Sequence, residues 1–168
     1  MKEPILYKIT RPIIKFLFDI TFRPTYKGLN NIPKEKRCIL VGNHTSNLDC
    51  LLLISSTQRT IHFLAKDSLI KGIKKPIFTN MGIIPVNRSI HDKNALNKAI
   101  NILNKDALIG IFPEGTINKT KDIIMPFKIG AVKMASETNA SLVPFTIKNK
   151  YKLFRRSVII EFYKPYKI

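Results

Sequence analysis

The 168-residue sequence predicts a single α/β domain with a largely parallel or mixed sheet covered by helices. Two patterns predict it. Short runs rich in Ile, Val and Phe read as buried strands, and stretches with helical spacing lie between them, the alternation that builds a sheet covered on both faces. Hydrophobic residues make up 45% of the chain, which supports a packed core and argues against disorder. No repeat, low-complexity tract or long polar linker divides the chain.

The first element, ILYKITRPIIKFLFDITF, is amphipathic at helical spacing. Lys8, Arg11, Lys15 and Asp19 form a narrow polar stripe, and Ile9, Ile13, Phe16, Leu17 and Ile20 cover the other side. Such a face suits either the domain's own core or a lipid surface. Pro12 would kink a continuous helix, so two short helices are expected, with Pro12 opening the second. Residues 1–24 are assigned to this segment and 25–168 to the domain that follows. CILVG, IHFLA, GIIPVN, ALIGIF, SLVPFTI and SVIIEFY are the expected strands. Helices are expected at 48–55, 71–80, 92–104 and 129–137. The clearest runs over 91–104, where Ala95, Leu96, Ala99, Ile100 and Leu103 recur at three and four after a cap at Ser89 or Asp92. Pro144, inside SLVPFTI, points to a sheet edge or a bulge.

Charge is lopsided, with 29 Lys plus Arg against 11 Asp plus Glu and a net charge of +18. That excess attracts polyanions: nucleic acid, an anionic lipid surface or an acidic carrier. The basic residues are spread along the chain and no nucleic-acid-binding signature appears, so no nucleic-acid partner is expected. Cys38 and Cys50 sit in apolar runs and the three histidines are scattered, which suits buried thiols in a reducing cytosol and offers no metal site. No run approaches the ~20 apolar residues of a spanning helix. Charges interrupt the apolar N-terminus every few residues, unlike a signal peptide.

Three motifs fall where strands feed loops, the places in α/β sheets where sites gather. GNHTSNLDC follows the first strong strand and carries His44 and Asp49. A neutral imidazole takes a proton from an alcohol, and a carboxylate fixes its tautomer and stabilises the imidazolium. Five positions apart, the two residues meet only across a strand-to-helix turn. Ser46 and Asp49 equally read as a capping box for the helix that follows. GIIPVNR ends in Arg88, whose planar fork suits phosphate, though a solvated Arg at a strand end reads the same way. IFPEGT places Glu114, Gly115 and Thr116 in a loop, as a site or as an ordinary Pro–Glu–Gly turn. His62 and His91 have no carboxylate at comparable spacing and are taken as structural.

Taken together, HTSNLD, GIIPVNR, FPEGT and LVPFTI resemble the four sequence blocks of the glycerophospholipid acyltransferases, with the bacterial 1-acyl-glycerol-3-phosphate acyltransferases as the nearest type. The resemblance covers about residues 30–150. It implies His44 as general base and Asp49 as its orienting partner. Arg88 would hold the phosphate of the acceptor, and Glu114, Gly115 and Thr116 would shape the acceptor site. FLAKDSL resembles a segment whose Lys contacts phosphate, here Lys66, and MPFKIGA matches the segment after the third block. The implied reaction moves a fatty acyl group from acyl-CoA or acyl-ACP, the co-substrate, to the free hydroxyl of 1-acyl-glycerol-3-phosphate on the cytoplasmic face of the membrane, making phosphatidic acid for phospholipid biosynthesis. No further cofactor and no metal are implied. Other lysolipids or glycerol phosphate are alternative acceptors, and the remaining alternative is a non-catalytic basic domain that binds lipid or, as the net charge permits, nucleic acid. The chain departs from the family at Ile117, where an Arg usually follows the Thr; Lys119, Lys121 or Lys128 are the nearby cations. It is also short for the family, without a longer membrane-associated N-terminus.

Overall fold

Alternation of strand and helix gives, in chain order, strands β1 (Thr25–Lys27), β2 (Cys38–Gly42), β3 (Ile61–Lys66), β4 (Ile84–Val86), β5 (Leu108–Ile111), β6 (Ser141–Lys148) and β7 (Ile159–Phe162). Helices are α1 (Ile5–Phe22), α2 (Asp49–Ser56), α3 (Lys74–Asn80), α4 (Lys93–Leu103) and α5 (Gly130–Thr138). The computed structural model describes residues 4–70, 72, 74–87, 90 and 92–168. Arg88, Ser89 and His91 therefore lie outside the described residues. The strands form one sheet in the order β1-β7-β6-β2-β5-β3-β4. The β6–β7 pair is antiparallel and every other neighbouring pair is parallel. The sheet is thus mixed, as expected.

Alternate side chains leave opposite faces of a strand, and the core divides accordingly. Cys38, Leu40, Leu108 and Val143 join α1 and α2 side chains on one face, whereas Ile39, Ile109 and Leu142 join α4 and α5 on the other. Helix α4 starts where Asp92 accepts the Ala95 amide at 3.0 Å, so Asp92 is the cap. Strand β1, with Thr25 and Tyr26 half-buried and Lys27 exposed, carries no alternation and was not anticipated.

Two local expectations are corrected. Helix α1 is continuous across Pro12. Its inner side chains Tyr7 and Phe18 are buried on either side of the proline, with Ile14 and Phe22 packed beside them. That packing outweighs the roughly 3 kcal/mol an interior proline costs. Pro144 sits in β6, an inner strand between β7 and β2. Its carbonyl accepts the Tyr163 amide at 2.8 Å, but it has no N–H to return, and the ladder with β7 stops one residue away at the Phe145–Phe162 pair. The proline terminates one pairing rather than marking an edge.

Both cysteines are free, Cys38 fully buried and Cys50 partly. Burial pushes the Cys38 thiol up to about 11. Burial, then the neighbouring Asp49 charge, pushes Cys50 up to about 12. Iodoacetamide at pH 8 is expected to label both at least roughly 100-fold more slowly than an unhindered thiol, because the thiolate is the nucleophile. Denaturant should abolish the difference, as mass spectrometry of the alkylated chain will show.

Candidate active site

The parallel strands β2, β5, β3 and β4 end at one edge of the sheet, and the expected site residues follow those ends. At the end of β2 the backbone of Gly42 runs against Phe145, where a Cβ would lie 2.4 Å from the Phe145 carbonyl oxygen. Asn43 then pairs through its side chain, donating to the Ile147 carbonyl at 3.0 Å and accepting the Ile147 amide at 2.8 Å. The side chain continues the ladder with β6 in place of the main chain, which is free to turn. His44 is the next residue.

The His44 imidazole stacks on the Phe112 ring, with centroids 4.0 Å apart and planes at 12°. Its Nδ1 lies 2.9 Å from Asp49 Oδ2. Nδ1–H donating to the carboxylate leaves the Nε2 lone pair as the basic site of the neutral ring. No described residue hydrogen-bonds Nε2. Asp49 opens α2 and is fully buried. Oδ2 accepts the Thr45 amide at 2.6 Å and the Ser46 amide at 2.9 Å. Oδ1 accepts the Tyr151 hydroxyl at 2.6 Å. The capping-box reading holds by half: Asp49 takes the Ser46 amide, but the Ser46 hydroxyl accepts from Leu48 at 3.2 Å rather than from Asp49. Capping and facing His44 are therefore done by one carboxylate.

Glu114 lies in the loop after β5 and is 3% exposed. Oε1 accepts the His44 amide at 2.9 Å and Oε2 accepts the Met125 amide at 3.0 Å. The His44 carbonyl in turn accepts the Asn118 amide at 2.8 Å. The main chain of His44 is thus clamped from both sides by the loop carrying FPEGT. Glu114 acts on any acceptor site by tying these loops together, because both its oxygens face backbone. Gly115 has φ +75°, a conformation that favours glycine. A Cβ there would lie 2.9 Å from Lys128 Cε and Nζ. The Lys128 side chain accordingly lies against Gly115, in a loop where Thr116 is exposed and Ile117 half-buried. Lys66 is exposed at the end of β3, two strands across from β2, roughly 10 Å at the usual strand spacing. Val86, the last residue of β4, lies one strand further on, and the Arg88 position follows it. The structure brings His44, Asp49 and Glu114 into contact and sets Lys66 apart along the same edge. His62 is elsewhere, buried, with Nδ1 2.8 Å from the Gly82 carbonyl. Burial holds its imidazole below the ordinary range and keeps it neutral.

Three contributors were not singled out from sequence. Asn43 and Phe112 sit beside the motifs and look like ordinary strand-end residues until the neighbouring strands are placed. Tyr151 is 102 positions from Asp49 in sequence. Burial, then the Asp49 charge, pushes its phenol far above the ordinary value, so it stays a donor. Tyr151→Phe is expected to lower unfolding stability by about 1.5–3 kcal/mol, the range for a hydrogen bond to a charged group. Urea denaturation will measure it.

The Acyltransferase family model matches residues 23–148, and the chain belongs to that family. The 1-acyl-sn-glycerol-3-phosphate acyltransferase of Borreliella burgdorferi is 38% identical over 135 residues, which are 79% of this chain and 54% of that protein. The human 1-acyl-sn-glycerol-3-phosphate acyltransferase alpha is 27% identical over 141 residues, 81% of this chain and 48% of that one. The chain thus spans about half the length of these curated relatives. The crystal structure of the 1-acyl-sn-glycerophosphate (LPA) acyltransferase PlsC from Thermotoga maritima matches with a TM-score of 0.70 at 23% identity. That match covers 96% of this chain and 67% of that one, and it establishes the fold.

Proposed function

We propose that the chain is a 1-acyl-sn-glycerol-3-phosphate acyltransferase, transferring a fatty acyl group from an acyl thioester to the free hydroxyl of lysophosphatidate to give phosphatidic acid. The observation that carries this reading is the His44–Asp49 pair, in which Nδ1 is committed to a buried carboxylate and Nε2 is left as the base. Nε2 takes the hydroxyl proton as the oxygen attacks the thioester carbonyl. The tetrahedral intermediate collapses, the C–S bond breaks, and the imidazolium returns the proton to the leaving thiolate. The pair serves as a general base to a direct transfer, without an acyl-enzyme.

Lys66 and Arg88 hold the acceptor phosphate in this reading. Lys128, against Gly115, supplies the cation that the family's Arg would bring at Ile117. It does so as a point charge rather than a planar fork. The donor is acyl-CoA or acyl carrier protein, both anionic and suited to a chain of net charge +18. Supplying each donor in turn, with lysophosphatidate in mixed vesicles, and measuring phosphatidate tests the reaction and assigns the donor. Free thiol without phosphatidate from either donor would overturn the acceptor.

The reading places the chain peripherally on the cytoplasmic face of the membrane, where its acceptor resides. No described helix is long and apolar enough to cross a membrane. On α1, however, Tyr7 and Phe18 face the core while Ile5, Ile9, Ile13, Phe16, Leu17 and Ile20 face outward. A helix apolar on its outer face suits the acyl–headgroup boundary. Ile9→Ser with Phe16→Ser is expected to weaken binding to anionic vesicles at least ~10-fold, since each apolar side chain is worth about 1.5–3 kcal/mol on burial. Vesicle flotation checks it, with the fold intact because neither residue is in the core.

A further inference from the structure

We propose that the loop between β6 and β7, residues 150–156, is a second membrane-contacting element that seats on an anionic lipid bilayer together with α1. The proposal rests on the peripheral-membrane reading above and names a surface outside the residues matched by the family model, which end at 148. The loop reads KYKLFRR: four cations and no acid around an apolar pair. Leu153 and Phe154 are 62% and 64% exposed. Phe154 holds φ +56°, a backbone region that an aromatic residue rarely adopts. An exposed aromatic held in that conformation gains nothing from the core of this chain.

The loop is fixed in place rather than free. The Asn149 side-chain amide donates to the Ser157 carbonyl at 3.1 Å, and the Ser157 hydroxyl donates to the Lys150 carbonyl at 2.8 Å, closing its base. The Phe154 amide donates to the Thr21 carbonyl at 2.5 Å. That carbonyl belongs to the last turn of α1, whose C=O groups lack intrahelical partners, so the loop caps the helix. The Tyr151 ring lies edge-on to Phe18 and Phe22 of α1 at 6.0 and 5.6 Å. The loop is thus anchored at the C-terminal end of α1, where Phe16, Leu17 and Ile20 of the helix and Leu153 and Phe154 of the loop are all exposed.

The occupant is set by the charge. Lys150, Lys152, Arg155 and Arg156 are all exposed and flank the apolar pair, the arrangement that places cations at anionic headgroups while apolar side chains enter the acyl boundary. Seating the loop also holds Tyr151, whose hydroxyl donates to Asp49, so membrane contact and the His44–Asp49 pair share one structural connection.

The chain has no tryptophan, so one introduced indole reports its own surroundings. Phe154→Trp, with Leu153→Trp as a second reporter and Phe16→Trp on α1 as a comparison, would be mixed with phosphatidylglycerol vesicles with and without brominated acyl chains. Blue-shifted emission and quenching by brominated lipid at both loop positions support the proposal. Arg155→Gln with Arg156→Gln should then weaken vesicle binding roughly 10- to 30-fold, from the usual contribution per cation at an anionic surface. Quenching at Phe16→Trp alone overturns the proposal and leaves the peripheral-membrane reading standing. No quenching at any position overturns both. A shift at the loop positions with acyl carrier protein but not with vesicles overturns it in favour of a protein partner.

Discussion

His44→Ala is expected to lower turnover by roughly 10²–10⁴-fold, the usual contribution of a general base, with the Michaelis constants for both substrates little changed. The fold should persist, because Asp49 keeps the amides of Thr45 and Ser46 and the Tyr151 hydroxyl when the imidazole is removed. Asp49→Asn behaves differently. An amide in place of the carboxylate turns one acceptor into a donor, in a place where all the partners are donors. It should lose activity and stability together. Steady-state kinetics with circular dichroism and urea denaturation separate the two variants. A His44→Ala protein that turns over as fast as wild type would remove the imidazole from the chemistry.

Glu114→Ala is expected to produce the largest loss of stability among the site variants, about 2–4 kcal/mol, since it leaves the amides of His44 and Met125 without their acceptor. For a chain of this size the midpoint of thermal unfolding should fall by roughly 5–15 °C. Activity should fall even where the variant is still folded, because Glu114 holds the main chain of His44, the base in the proposed reaction. Glu114→Gln keeps one acceptor oxygen and should lie between. Equal stability of Glu114→Ala and wild type in urea would show that the loops are held together by other contacts.

These two residues also show what was legible in the sequence. The strands after residue 36 were readable because their apolar runs are rich in branched residues, buried nearly throughout in β2 and β5 and on alternate residues in β7, and helix α4 because its apolar residues keep strict spacing after a cap. His44 and Asp49 stood out because a strand-to-helix turn was visible between them. The direction of Glu114 was not: a carboxylate in a Pro–Glu–Gly turn looks like a group offered to solvent, and only the neighbouring loop shows that two amides consume it. Tyr151 could not be found by spacing, since its bond to Asp49 arises from the packing of the β6–β7 loop on α1. The apolar stripe of α1 was legible, but which stripe turns inward depends on Tyr7 and Phe18 finding the core. Pro144 misled because strand propensity says nothing about where a partner strand ends.

The most direct test of the central claim is a balanced product measurement: purified protein, lysophosphatidate in vesicles and an acyl thioester donor, with released thiol and phosphatidate counted in the same sample for wild type and His44→Ala. One phosphatidate formed per thiol released, with both falling together in the variant, is the predicted result. Thiol release without phosphatidate, or phosphatidate formed equally by the variant, would contradict acyl transfer by a His44 base.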